Sequence, residues 1–187
     1  TVTPYMGALS TILDRFIALG FHSVGFAPVL AAPGGSGEME QSDLDRLLDG
    51  MIACGAEFER RVAAGDRYPF SNMESAMQQL HRGTHRPYPC GAGAGYLAVG
   101  ADGGLFACHR FIDDPPAAMG RVSSGPDNGR RTIWLTERHV DRQQPCQTCW
   151  ARYLCGGGCH HEVINRGRDA CEYIPGWLDQ RLPEYVH

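Results

Sequence analysis

The sequence predicts an α/β segment followed by an irregular, cysteine-rich domain. Three observations carry that expectation. The first 65 residues read as helix, strand, loop, helix, the repeating unit of an α/β sheet or barrel. After Arg67 the helical periodicity gives way to short apolar runs separated by glycine-rich turns. Five of the eight cysteines then crowd between positions 146 and 171.

Thr3 is expected to cap a first helix, with Pro4 at the first helical position, where no N–H is needed. Leu9, Ile12, Leu13, Phe16 and Ile17 recur at helical spacing, and Gly20 is placed to end the helix. His22 to Leu30 reads as a short buried strand, and Ala32 to Glu40 as a loop of small residues. Ser42, with Asp45 three residues on, predicts the start of a second helix. Its apolar face is Leu44, Leu47, Leu48, Met51, Gly55 and Phe58. Such a unit cannot bury its sheet edges alone, so residues 1–66 are expected to be the end of a larger α/β protein. A first residue of Thr1 rather than Met suits that expectation.

Residues 67–89 form a bridging segment with a short helix over Met73 to Leu80. Residues 90–187 are the second domain. Tyr96 to Val99, the Asp-Gly-Gly turn at 102–104 and Leu105 to Cys108 predict a hairpin, which places Cys90 and Cys108 at one open end. Met119 to Val122 is a candidate third strand and Ile133 to Val140 a short helix.

Composition bounds the function. With 43% hydrophobic and 20% charged residues the chain belongs to the soluble globular class. A net charge of −4 makes no electrostatic case for nucleic acid or anionic membrane as a partner. No apolar run approaches the roughly 20 residues of a membrane span. Nor does a basic segment followed by an apolar one mark a secretory signal.

Disulfide frameworks belong to small secreted domains with meagre cores, whereas this chain has ample apolar residues and strong helical segments. Metal is the better use for its thiols. They run Cys146-x2-Cys149-x5-Cys155-x3-Cys159, with Cys171 downstream and Cys90 and Cys108 upstream. An iron–sulfur cluster takes four thiolates that converge from loops. Gly156, Gly157 and Gly158 offer backbone N–H groups that could approach cluster sulfides without a side chain in the way. The competing structural metal, zinc held by four cysteines, favours paired C-x2–4-C spacings, and seven ligands do not divide into two such sites.

The pattern Cys90, twelve residues, Gly103, four residues, Cys108, then the C-x2-C-x5-C-x3-C run and Cys171 resembles the SPASM domain. That domain is the auxiliary-cluster extension of radical S-adenosylmethionine enzymes that modify peptides and proteins; the match covers residues 90–175. The resemblance implies two [4Fe–4S] clusters. Cys146, Cys149, Cys155 and Cys171 would hold one, and Cys90, Cys108 and Cys159 the other, with one iron left without a cysteine. That iron is open to the substrate's thiol, to water or to a side chain such as His109. Cys54, the remaining thiol, sits on the apolar face of the second helix and reads as a core residue. The resemblance further implies that residues 1–66 close a partial barrel. S-adenosylmethionine and a third [4Fe–4S] cluster would be bound by a preceding part, because the C-x3-C-x2-C loop that holds that cluster is absent here.

Cys149-Trp-Ala-Arg-Tyr-Leu-Cys-Gly-Gly-Gly-Cys-His-His-Glu162, with Tyr88-Pro-Cys-Gly-Ala-Gly-Ala-Gly-Tyr96 and Cys108-His-Arg-Phe111, is similar to the maturases of quinohemoprotein amine dehydrogenase. These link cysteine sulfur to Asp or Glu side chains of a small subunit. Maturases of other ribosomal peptides share the glycine–cysteine core. Sulfatase maturases are less similar, carrying aspartate where this chain has His109. His109 is the candidate catalytic base; its alternative role is a hydrogen bond to cluster sulfur or backbone. His160 and His161 are expected to orient the knot. Arg110, Arg152 and Arg166 could offset thiolate charge or meet an acidic substrate. The implied partners are a peptide or small protein substrate and a reductant such as flavodoxin or ferredoxin. The reducing chemistry points to the cytoplasm.

Overall fold

The computed structural model describes residues 1–30, 32, 35–83, 85–168, 171 and 176. The chain divides into two units, residues 1–84 with 166–187, and residues 85–165. These borders differ from the sequence reading at both ends. The segment beginning at Arg67 joins the first unit because Val24 pairs with Phe70 in a parallel bridge. Asn72 adds to this by bonding the Phe26 N–H and C=O through its side-chain amide, at 2.9 and 3.0 Å. Arg166 joins the same unit by donating to the carbonyls of Leu30 and Met39. The sequence also suggests a C-terminal helix after the cysteine run, and that segment lies outside the described residues.

The first unit holds helices α1 (Leu9–Ala18), α2 (Gln41–Ala63) and α3 (Ser71–Arg82). Helix α1 starts at Leu9 rather than at Thr3. The preceding residues are committed elsewhere: the Val2 N–H donates to Ala27 at 2.7 Å, and Val2 accepts from Val29 at 2.9 Å. This tertiary pairing outweighs the local Thr-Pro signal. Gly20 follows the helix with φ +86°, as its place in the sequence suggested. Helix α2 is capped by Glu40 and Asp43, in a reciprocal capping box two residues before the expected Ser42 and Asp45. The expected strand over residues 22–30 is reduced to two isolated parallel bridges, Val24 with Phe70 and Pro28 with Val2.

Helix α2 turns Leu44, Leu47, Met51, Cys54, Gly55 and Phe58 inward at helical spacing. Gly50 brings it against α1, since a Cβ there would stand 3.1 Å from Leu9. Cys54 is fully buried, and burial, followed by the charge of Asp14, pushes its thiol up to about 12. It is a core residue.

The second unit is built on a four-stranded antiparallel sheet, β1 (Ala98–Val99), β2 (Gly104–Phe106), β3 (Ala118–Arg121) and β4 (Gly125–Pro126), in that order. The expected hairpin is β1–β2, with Ala98 opposite Phe106. Asp102 fixes its turn by accepting the Gly104 N–H at 2.9 Å, while Gly103 takes φ +80°. Strand β4 was not legible in Gly125-Pro126, a pair that reads as a breaker. Helix α4 (Asn128–Arg138) begins earlier than Ile133 because Asp127 caps it through the Arg130 N–H at 3.0 Å. Its Trp134 completes a core of Ala92, Leu105, Ala107, Cys108, Phe111, Ala117 and Met119. Short helices α5 (Arg152–Cys155) and α6 (His160–Arg166) carry the cysteine run.

Candidate metal centre

All eight cysteines are free thiols. Those expected as ligands fall into three sets by location. Cys90, Cys108 and Cys159 come together within the second unit: the neighbouring Cys159 and Cys90 each perturb the Cys108 thiol electrostatically. Cys146, Cys149 and Cys155 follow one another on the turns before and along α5. Cys171 lies in the first unit, half-buried, its N–H donating to Arg168 at 2.9 Å.

The three-cysteine set is assembled by loops. Cys108 leaves β2 and enters a 3₁₀ turn, His109–Phe111. The turn is closed by the Phe111 N–H, which donates to the Cys108 carbonyl at 3.0 Å, and the backbone of Arg110 and Phe111 favours the charged form of the Cys108 thiol. Burial still dominates and raises the thiol above its ordinary value. Cys90 ends a segment tied down at two points: Arg86 N–H donates to Tyr153 at 3.2 Å, and Pro87 accepts from Val140 at 3.1 Å. Cys159 begins α6. Its sulfur accepts from the Arg110 guanidinium at 4.0 Å, and that guanidinium is also paired with the buried Glu162. Tyr96 closes the group. Burial, then the charges of Cys90 and Cys108, hold its titration above the usual phenol range.

The glycine run also serves the packing of the chain. Gly156, Gly157 and Gly158 have φ of +73°, +92° and +77°, all left-handed. A Cβ on Gly156 would stand 2.5 Å from the Tyr88 and Pro89 backbone. Its N–H is used on the Arg152 carbonyl at 2.7 Å. Gly156 therefore lets the chain before Cys90 cross the end of α5. Gly157 is the member nearest a thiol, with its Cβ position 3.9 Å from the Cys146 sulfur.

His109 is exposed at the head of its 3₁₀ turn. His160 is buried edge-on to Trp134, and His161 packs on Phe111, with ring centroids 5.6 and 5.3 Å apart. Burial, then the Arg110 charge, lowers the His161 pKa. Both rings orient the start of α6. Of the three arginines, Arg152 pairs with Asp141 at 3.3 Å and Arg166 with backbone carbonyls, so these two are fixers of loops. Arg110 reaches a cysteine sulfur. Neither Tyr96 nor Glu162 stood out in the sequence as a site residue. Tyr96 five residues after the glycine that follows Cys90 carries no local signal of its role.

The donor set suits an anionic, sulfur-ligated group. The charges of Cys90 and Cys159 act on Cys108, and the Arg110 guanidinium already points at the Cys159 sulfur. Among the described residues, no three His, Cys, Asp or Glu side chains stand at the spacing of a single metal ion.

The chain is 26% identical over 158 residues to the serine-type anaerobic sulfatase-maturating enzyme of Klebsiella aerogenes, an alignment spanning 80% of this chain and 38% of the relative. Native anSMEcpe with bound AdoMet superposes with a TM-score of 0.64 and 14% identity, over 92% of this chain and 50% of that one. The form with AdoMet and the Kp18Cys peptide gives the same TM-score at 13% identity, over 51% of its chain. The fold is shared. The chain spans about half or less of the length of these proteins. No family model matches it. The sequence reading set sulfatase maturases further off because of His109, yet the alignment with one of them extends over most of the chain. Among the described residues no helix is long and apolar enough to cross a membrane.

Proposed function

We propose that this chain is the auxiliary-cluster portion of a radical S-adenosylmethionine enzyme that modifies a peptide or small protein. The observation that supports the reading is that Cys90, Cys108 and Cys159, separated by up to 69 positions in the chain, lie in one unit, where the charges of Cys159 and Cys90 act on the Cys108 thiol. The similarity to a sulfatase-maturating enzyme and the fold shared with an AdoMet- and peptide-bound relative support it. Cys90, Cys108 and Cys159 hold one [4Fe–4S] cluster. Cys146, Cys149, Cys155 and Cys171 hold the second, and S-adenosylmethionine with a third cluster belongs to a preceding part.

A bound cluster supplies a one-electron acceptor and an iron position for substrate. This chain's residues supply the rest. The Arg110–Glu162 pair fixes α6 beside Cys159, and His109, exposed at the surface, takes a proton from substrate. Joining a thiol to a carbon by a thioether removes two hydrogens. The radical step takes one as an atom; the other leaves as a proton to His109 and an electron to the acceptor.

The thioether reading, with cysteine joined to Asp or Glu of a quinohemoprotein amine dehydrogenase subunit, rests on the Cys149–Glu162 and Tyr88–Tyr96 phrases and on His109. The sulfatase-type reading rests on the alignment. The deciding test loads the chain with iron and sulfide anaerobically and measures both, with the visible spectrum. About eight iron per chain with broad absorption near roughly 400 nm is expected for two such clusters. Zinc and no visible absorption would sink the reading. Mass spectrometry of peptides turned over by the chain joined to its SAM-cleaving part then separates the two finer readings.

A further inference from the structure

A groove of about 460 Å³ in the second unit is lined by Leu135 and Thr136 of α4, by Tyr88, and by His139, Asp141 and Arg142 of the turn that follows α4. Its volume lies in the range of ligand pockets. The turn is fixed at several points: the Val140 N–H donates to Pro87 at 3.1 Å, the Arg142 N–H to His139 at 2.8 Å, and the Gln147 side-chain amide to the Asp141 carbonyl at 2.9 Å. The polar groups of the groove differ in what they have left to offer. Asp141 accepts the Tyr153 hydroxyl at 2.9 and 3.0 Å and lies 3.3 Å from the Arg152 Nε, so its charge is met within the protein. His139 Nδ1 accepts the Asp141 N–H at 3.2 Å, which leaves Nε2–H as the donor of that ring. Arg142 is exposed, and its guanidinium has no partner among the described residues. Each of the other arginines of this unit is engaged on a carbonyl, a carboxylate or a ring, as Arg131 is on Gly93 at 3.1 Å and Arg138 over Trp134 at 5.4 Å.

We propose that this groove binds an acidic side chain of the peptide substrate, with the carboxylate on Arg142 and the Thr136 hydroxyl and the aliphatic stem against Leu135 and Tyr88. That the occupant is the substrate rests on the function proposed above. A carboxylate suits the groove because the groups left to bind it are donors: a guanidinium, an imidazole N–H and a hydroxyl. The guanidinium fork matches the two carboxylate oxygens, and a backbone already fixed around Arg142 lowers the cost of ordering it. The groove thus holds a residue that does not react and uses its binding to orient the one that does.

The test measures fluorescence anisotropy of a fluorescein-labelled peptide of alternating Glu and Ser, and of its Gln counterpart, with the iron- and sulfide-loaded chain at low ionic strength. The Glu peptide is expected to bind more tightly. Arg142→Gln should weaken it about tenfold, the scale of a lost hydrogen bond to a charged group. Arg142→Lys should restore part of the affinity, keeping the charge without the fork. Arg15→Gln, the same loss of charge at an exposed position of α1, should change nothing. No preference for Glu, or equal weakening by Arg142→Gln and Arg15→Gln, overturns the proposal. Thr136→Glu, at an exposed helix position, sets a carboxylate in the groove and should weaken the Glu peptide as well; unchanged affinity there also overturns it. Metal content of the same samples reports on the function separately. Zinc in place of iron, with binding still dependent on Arg142, sinks the function and keeps the groove. Full iron with no dependence on Arg142 does the reverse.

Discussion

The two units hold themselves together by different means. In the first, α2 alone runs 23 residues and buries six of its apolar or small side chains along one face. Phe70, Met73 and Leu13 add to that core at 0% exposure. Burial on this scale stabilises each large side chain by about 1.5–3 kcal/mol. The second unit has strands of two to four residues and one helix longer than two turns. Its order comes from left-handed glycines, side-chain bonds to loop carbonyls and a single tryptophan. The lesson is that the first unit is specified by periodic apolar sequence, and the second by a few irreplaceable contacts around thiols.

That comparison is most easily broken at Gly156. Substitution by alanine forces a side chain into a left-handed position and into the Tyr88–Pro89 backbone, an expected loss above about 4 kcal/mol. Iron per chain should fall with it, as measured after anaerobic loading. Trp134→Ala comes next, with an expected cost of about 3–5 kcal/mol in denaturant unfolding, since Trp134 packs on both Phe111 and His160. Phe70→Ala should cost about the same in the first unit, yet leave the iron at Cys90, Cys108 and Cys159 unchanged. Iron lost equally in both variants would erase the distinction.

Cys54→Ser sharpens the comparison at a smaller scale. A hydroxyl placed in that fully buried site costs about 1–3 kcal/mol, while iron and sulfide content stay at the wild-type value. The smallest expected effect is electrostatic. Glu57 is held at about 2, below its ordinary 4.5, chiefly by hydrogen bonds from Arg60 and then Arg61. Its folded-state pKa is depressed, so its contribution is complete above about pH 4.5 and is lost as pH falls toward about 2. Glu57→Gln should flatten the acid side of the melting-temperature profile slightly in that window. The pairs are exposed, and screening keeps the effect small.

Much of this protein was legible because the signals were local. Leu44, Leu47, Met51 and Phe58 marked α2, the Asp102-Gly103 turn marked the hairpin, and Cys54 on an apolar face marked a core thiol. The cap of α2 was misplaced by two residues because both Glu40–Asp43 and Ser42–Asp45 satisfy the same local rule. Only the pairing of Val2 with Pro28 decided where α1 could begin. The cysteine spacing by itself carries the expectation of sulfur ligation, since seven thiols at those intervals speak through residue type and count. Which groups would attend the sulfurs was decided by tertiary structure. Tyr96 returns to Gly91, next to Cys90, through a folded-back glycine turn, and Arg110 reaches Cys159 across 49 positions. A hydrogen bond depends on angles and distances of a few tenths of an ångström, and sequence intervals between remote loops do not encode them.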